Sequence, residues 1–425
     1  MGGHVTPMCA VGAALVARGH QVRVLTGARF RAEVEGSGMT FVAWPAPADY
    51  DDRDLNGSFP GRAHLRGVKA VRFDMSNLFA RPMGDQFAAI SAALEREAVG
   101  AIVCELTITG LIPMLVGNAP RPPIHVLGCT PLPVTGRDTF PYGLGLEPPA
   151  TPAAKLRARV MTVMAKKVIL SGVQRELDAQ LRGRALAGMP VFFTDWFVLA
   201  DRFWQLSVEG FEYPRSDLAD NVRFAGPLLG HVRGEAPGWW DDLDGSRPVV
   251  HVTQGTVDNH DFSKLIGPTL MGLADHDVVT VVTTGGRALN ALPSPLPDNV
   301  RCATFIPYHL LLPKVDVMVT NGGYGGVQYA ITHGVPLVVA PEREDKPDVA
   351  ARVAWSGIGL NLKTGRPTAD TVARAVTRVL GDPSYRGAAR RLASEARGYD
   401  ALASIVAELE STGAPPRRPQ RKEQQ

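Results

Sequence analysis

The residues best placed to do chemistry lie where apolar runs break into glycine. Val315–Val319 reads as a buried strand that enters the turn Asn321-Gly322-Gly323-Tyr324-Gly325-Gly326, with a helix expected from about Val327. Glycine lets main chain approach a ligand closely, and free amides at a helix start favour an anion such as a phosphate. The alternative is a tight turn that holds nothing. A Walker loop is excluded because no Gly-Lys-Ser/Thr follows, and a dinucleotide fingerprint would need glycine where Gln328 stands. A second strand end, Thr253-Gln254-Gly255-Thr256, offers one glycine and a hydroxyl that can donate to a phosphate oxygen. At the other end of the chain, Gly3-His4-Val5-Thr6-Pro7 suits a loop and helix start, with Thr6 as N-cap and Pro7 as first helical residue. His4 then stands in the loop, as a general base or as a solvated histidine near a terminus. Glu105 closes the apolar run Ala101–Cys104. It is either a loop residue or a carboxylate that accepts an imidazole N–H and fixes its tautomer. The aromatic and Met residues at Phe73, Met75, Phe79, Met83 and Phe87 fit core or pocket wall.

Positioning these loops takes two parallel α/β sheets. Strand patterns at 22–25, 40–43, 101–105, 124–128, 204–208 and 222–225 occupy the first half of the 425 residues, and 249–253, 278–283, 300–305, 315–319, 337–340 and 359–362 the second. Helical patterns alternate with them, at 7–18, 83–98, 262–273, 349–356, 369–380 and 385–396 among others. The stretch 229–246, rich in Gly, Pro, Asp and Trp, breaks the alternation and reads as a linker. The expected units are therefore 1–228 and 247–396, a last helix within 397–412 packing back on the first unit, and a disordered basic tail, 413–425. Ligands of such sheets bind beyond the carboxyl ends of the strands, in the cleft between units.

Composition excludes other classes. The chain is 45% hydrophobic and 20% charged, ample for two cores. Its net charge of +3 equals that of the tail, so the body is neutral and a nucleic-acid face is not expected. Four scattered cysteines without a Cys-x-x-Cys pair argue against a disulfide framework or zinc site, and reduced thiols fit the cytoplasm. No apolar run is long enough for an integral membrane segment.

Together these motifs resemble family 1 glycosyltransferases, the two-domain GT-B group of plant natural-product and bacterial macrolide enzymes. The resemblance rests on Gly3-His4-Val-Thr-Pro7, Arg18-Gly-His20, Asn221-Val-Arg-Phe-Ala-Gly-Pro227, Thr253-Gln-Gly-Thr256 and Phe305-Ile306-Pro-Tyr. It continues through Val319–Gly326, His333–Pro341 and Glu344-Asp345-Lys346-Pro-Asp348-Val-Ala-Ala-Arg352. It implies an inverting, metal-independent transfer of a sugar from a UDP- or dTDP-sugar to a hydroxyl of a hydrophobic small molecule, with no other cofactor, by a monomer or homodimer. By the same resemblance His4 is the base and Glu105 its orienting carboxylate. Gly255, Thr256, Asn321, Gly322, Gly323, Gly325 and Gly326 hold the diphosphate. Phe305 stacks on the base, the Ile306 backbone reads its edge, and Asp345 with Lys346 grips the sugar hydroxyls.

The chain departs from the family pattern in four places. Asn321 replaces a histidine, Gly326 a hydroxyl residue, Tyr329 a ribose-binding glutamate and Lys346 a glutamine. A catalytically weak or non-enzymatic auxiliary homologue is the second reading. The family pattern also has a buried strand directly before Gly-His-x-x-Pro. The sequence from Met1 leaves no place for it, so a late-called start or a shortened chain is expected. With Met1 as the true start, the first sheet would be gapped and His4 would lack its anchor.

Overall fold

The computed structural model describes residues 2–51, 55–230, 234–256 and 258–412. Met1, part of the linker (231–233) and the basic tail 413–425 lie outside the described residues. All twelve expected strands form: β1 (Arg23–Thr26), β2 (Thr40–Ala43), β3 (Ile102–Glu105), β4 (Ile124–Gly128), β5 (Arg202–Gln205), β6 (Val222–Phe224), β7 (Val249–Thr253), β8 (Val279–Thr283), β9 (Val300–Ala303), β10 (Val317–Thr320), β11 (Leu337–Val339) and β12 (Gly359–Asn361). Every pairing is parallel. Strands covered on both faces read as unbroken apolar runs, which is why β7, β8 and β10 were legible.

The second half holds one sheet in the order β12-β11-β10-β7-β8-β9. Its strand order reverses between β10 and β7, so the turns after these two strands diverge around one crevice. These turns are 321–323 and 254–256. One core lies on each face of the sheet, and the turns emerge from strands that cannot shift without opening both.

The first half is divided. β3-β4-β5-β6 form one sheet and β1-β2 another, with no strand between β1 and β3 among the described residues. A cavity of about 740 Å³ separates them, lined by both strand edges, by Met8, Val11 and Leu15 of the helix Gly2–Ala17, and by Ile90 and Leu94 of the helix Met83–Arg96. The first sheet is gapped, as the sequence led us to expect. Thr40 N donates to Val22 O and Ile102 N to Pro123 O. By the alternation of a parallel ladder, the amides of Arg23, Leu25, Val103 and Glu105 then point into the gap.

The two units are locked by a buried ion pair. The Arg352 guanidinium donates to Glu212 at 2.7 Å, with both side chains at most 2% exposed, and lies 4.3 Å from the centre of the Tyr213 ring. One turn earlier, the Asp348 carboxylate accepts the amide of Gly143 at 2.8 Å, drawing the loop after β4 onto the second unit. The final helix, Ala401–Thr412, crosses back to the first unit. There Ile405 and Leu409 pack with Leu127 and Trp204, and Glu408 accepts from Arg202 at 2.6 Å.

Two outcomes follow from this arrangement. Amides of Leu25 and Val103 should exchange about tenfold faster than those of Val24 and Cys104, because only the latter face a strand partner. Equal protection in residue-resolved hydrogen exchange would show the gap to be filled. Arg352→Ala should cost about 3–5 kcal/mol in urea unfolding by stranding the Glu212 carboxylate, and Arg352→Met with Glu212→Leu should recover most of it. A loss below about 1 kcal/mol in the single variant would mean that the pair does not lock the units.

Candidate active site

His4 and Glu105, 101 positions apart, meet. His4 Nδ1 lies 3.0 Å from Glu105 Oε2, with the two side chains 16% and 12% exposed. The helix begins earlier than expected. It spans Gly2–Ala17, so His4 sits in its first turn, and Thr6 and Pro7 lie inside rather than at the cap. Pro7 lies so near the start that its missing amide costs a single intrahelical bond, and the helix tolerates it. His4 does not lack an anchor, because the carboxyl end of β3 supplies one.

Glu105 is itself held. Its carboxylate accepts the Thr107 amide at 3.0 Å and a short bond from the Thr107 hydroxyl. Burial alone would raise its pKa. The hydrogen bond and charge of His4 and the Thr107 hydroxyl outweigh burial and hold it at about 2. A carboxylate this acidic stays charged at neutral pH. It accepts Nδ1–H and leaves the Nε2 lone pair available. Thr107 was not singled out in the sequence, although Glu-x-Thr at a strand end was the available signal.

Across the cleft stands the glycine turn. Gly322 (φ 89°) and Gly255 (φ 71°) adopt left-handed backbone that other residues resist. The Gly322 and Gly323 amides are directed at Thr320 Oγ1 and Asn321 Oδ1 within the turn, at 3.3 and 3.4 Å. The helix starts at Tyr324, three residues before the expected Val327, because Gly323 already serves as its N-cap. The amides of Tyr324, Gly325 and Gly326 therefore occupy a first turn, where no intrahelical acceptor exists. A β-carbon on Gly325 or Gly255 would meet only open space. Nothing described blocks an anion there.

Asn321 has another task. Its Nδ2 donates to the Gln254 carbonyl at 2.7 Å, tying the β10 turn to the β7 turn. Thr256 is exposed beside Gly255. Phe305 is 46% exposed, whereas Ile306 is buried in the core, backbone included. Burial raises the Asp345 pKa, and the charge of the neighbouring Lys346 opposes this. Lys346 is engaged within the protein. Its ammonium is bound by Glu344 at 2.6 Å and faces Asp258 at 3.8 Å, with little exposure. Tyr329 donates to the carbonyl of Gly230 at 2.6 Å and thereby fixes the linker. No sequence signal marked Arg352, Glu212 or Asp348 as the lock that sets the distance between the two halves of the site.

Residues 268–411 match the family described as erythromycin biosynthesis protein CIII-like, C-terminal domain. A 4'-demethylrebeccamycin synthase of Lentzea aerocolonigenes is 39% identical over 95% of both chains. A UDP-glycosyltransferase 2 of Phaeomoniella chlamydospora is 36% identical over 97% of this chain and 94% of its own. The structure of a spinosyn rhamnosyltransferase complexed with thymidine diphosphate shares the fold, with a TM-score of 0.66 at 20% identity over 96% and 97% of the two chains. The chain belongs to the family 1, UDP-glycosyltransferase-like glycosyltransferases and has their GT-B fold.

The Glu105 contact carries a pH signature. A carboxyl held near 2, against an ordinary value of 4.5, adds stability that is fully present above 4.5 and lost as pH falls towards 2. Glu105→Gln should flatten that acid limb in melting curves recorded across pH. An unchanged acid limb would disconnect Glu105 from His4.

Proposed function

We propose that this glycosyltransferase carries out an inverting, metal-independent transfer from a UDP- or dTDP-sugar to a hydroxyl of a hydrophobic small molecule, with His4 as base. What supports this reading is the His4–Glu105 hydrogen bond, together with a glycine turn whose helix amides at 324–326 have no intrahelical acceptor. The acceptor oxygen attacks the anomeric carbon, and its proton passes to His4 Nε2. The carbon–oxygen bond to the diphosphate breaks, and its electron pair leaves with the diphosphate. Glu105, still ionised, stabilises the imidazolium that forms. The growing charge on the leaving group meets the amides of residues 324–326 and the Thr256 hydroxyl. Preorganised donors of this kind contribute about 3 kcal/mol each in comparable sites.

Phe305 is exposed enough to stack on the pyrimidine, and Asp345 stands where a sugar hydroxyl can donate to it. Lys346, engaged by Glu344 and Asp258, orients these carboxylates rather than gripping the sugar directly. The acceptor lies against residues 50–90 and 130–165, where Met75 and Phe79 extend the core towards the cleft. The choice of nucleotide rests on the names of relatives, which point to both UDP and thymidine diphosphate. We place the reaction in the cytoplasm, where reduced thiols persist.

His4→Ala should lower kcat by about 10²–10⁴ while the Kd of UDP or dTDP in calorimetry moves less than about twofold. Glu105→Ala should slow turnover with a smaller effect on donor affinity. Turnover unchanged in His4→Ala would remove the imidazole from the mechanism.

A further inference from the structure

Among the described residues, twelve large apolar side chains are exposed, and seven of them share one face of the first unit. The helix Pro152–Met164 continues through a wider turn, Ala165–Ile169, and presents Leu156, Val160, Val163, Met164 and Val168 to solvent at 48–63% exposure. The spacing of three to four residues puts them on one ridge. The neighbouring helix Gly67–Met75 adds Val68 and Val71. The two helices are joined where Arg72 donates to the carbonyls of Ile169 and Val168, at 2.5 and 2.9 Å.

The charge on this face has one sign. Residues 152–169 contain Lys155, Arg157, Arg159, Lys166 and Lys167 and no acidic residue. Lys166 is paired with Asp195, and Arg157 lies over the Phe140 ring. Lys155, Arg159 and Lys167 are exposed and form no ion pair with a described residue. Lys69 extends the same set on the neighbouring helix. Of the nearby acids, Asp74 is held by Arg62 and Glu176 by Ser76.

We propose that this ridge docks the protein on an anionic lipid surface. An apolar ridge flanked by lysine and arginine fits the boundary of a bilayer, where aliphatic tips enter between headgroups and ammonium groups reach the phosphates. Charge disfavours the alternative of a second copy of this chain, because a twofold contact would bring the same cations face to face. A protein partner would need a groove shaped to a protruding ridge, whereas a bilayer yields to it. Attachment would be peripheral, since no described helix is long and apolar enough to cross a membrane. The loop before this helix carries Gly143, whose amide is bound by Asp348, so a docked protein would hold its cleft close to the lipid.

Sedimentation with vesicles tests this. The full chain should pellet with phosphatidylcholine vesicles containing about 30% phosphatidylglycerol and not with phosphatidylcholine alone. About 0.5 M salt should release much of it. Val160→Asp with Val163→Asp, and separately Lys155→Glu with Arg159→Glu, should each cut the bound fraction at least about fivefold. These positions are exposed, so the melting temperature should stay unchanged. Binding that is absent, or undiminished in either variant, overturns the proposal. A dimer in sedimentation equilibrium that the aspartates dissociate, without vesicle binding, overturns it in favour of self-association.

Discussion

The hydrogen bond between His4 and Glu105 is the contact on which the site depends. It joins the first turn of the first helix to the carboxyl end of β3, and the two arrive from different directions. The helix is held laterally by Val11 and Leu15, which pack towards the final helix and β4. Its amino end meets the carboxyl end of β3, beside the opening that the described residues leave between β1 and β3. The orientation of the imidazole therefore falls to a carboxylate that is fixed by Thr107 at its own base. Were Glu105 neutral, it would be a weaker acceptor and the ring would lose its preferred tautomer.

A second constraint sets the span across the cleft. His4 and the amides of 324–326 belong to different units, and no strand bridges them. Their separation is maintained by the Arg352–Glu212 pair, by the bond from Gly143 to Asp348, and by Gln205 of β5, whose amide donates to the Tyr324 hydroxyl at 2.7 Å. Two of these three contacts arise from the helix Lys346–Trp355, which starts one residue after Asp345. The helix that starts beside Asp345 is thus the one that holds the units in register. Burying an ion pair of this kind is costly in itself and gains little over a well-packed apolar contact. Its value here is directional, since Arg352 is satisfied only when Glu212 and Leu132 come to it.

The strands and the glycine turn were readable because their cause is local. Apolar runs of β-branched residues ending in glycine have few other uses, so β4 and β7 came out at their true limits. Boundaries failed where a neighbour decides them. The first helix starts at Gly2 rather than Pro7, and the helix after the glycine turn at Tyr324 rather than Val327, because capping depends on backbone angles that glycine leaves open. The helix Pro152–Met164 was not singled out, since its exposed valines and leucine blur the expected polar face. The lock was invisible, as 140 residues separate Arg352 from Glu212 and nothing in the motif that ends at Arg352 points to Glu212. His4 and Glu105 were suggested one at a time, and only their order among other motifs joined them.

The family pattern places a histidine, a hydroxyl and a glutamate where this chain has Asn321, Gly326 and Tyr329. The structure gives two of the three replacements a clear role. Asn321 bonds the backbone of Gln254 and so fixes the distance between the two turns that flank the crevice. Tyr329 fixes the linker at Gly230, and its ring packs 5.1 Å from that of Tyr308. Side chains that would have touched a nucleotide have become ties within the protein. A diphosphate in this cleft would then be held by uncharged amides, by the partial positive charge of one helix and by a threonine hydroxyl. Such donors cost nothing to desolvate as full charges and do not move when the leaving group gains charge. A chain that gives up cations at the phosphate keeps its catalytic field only if the amides stay fixed. That is the mechanical purpose served by tying the turns to each other and the units together.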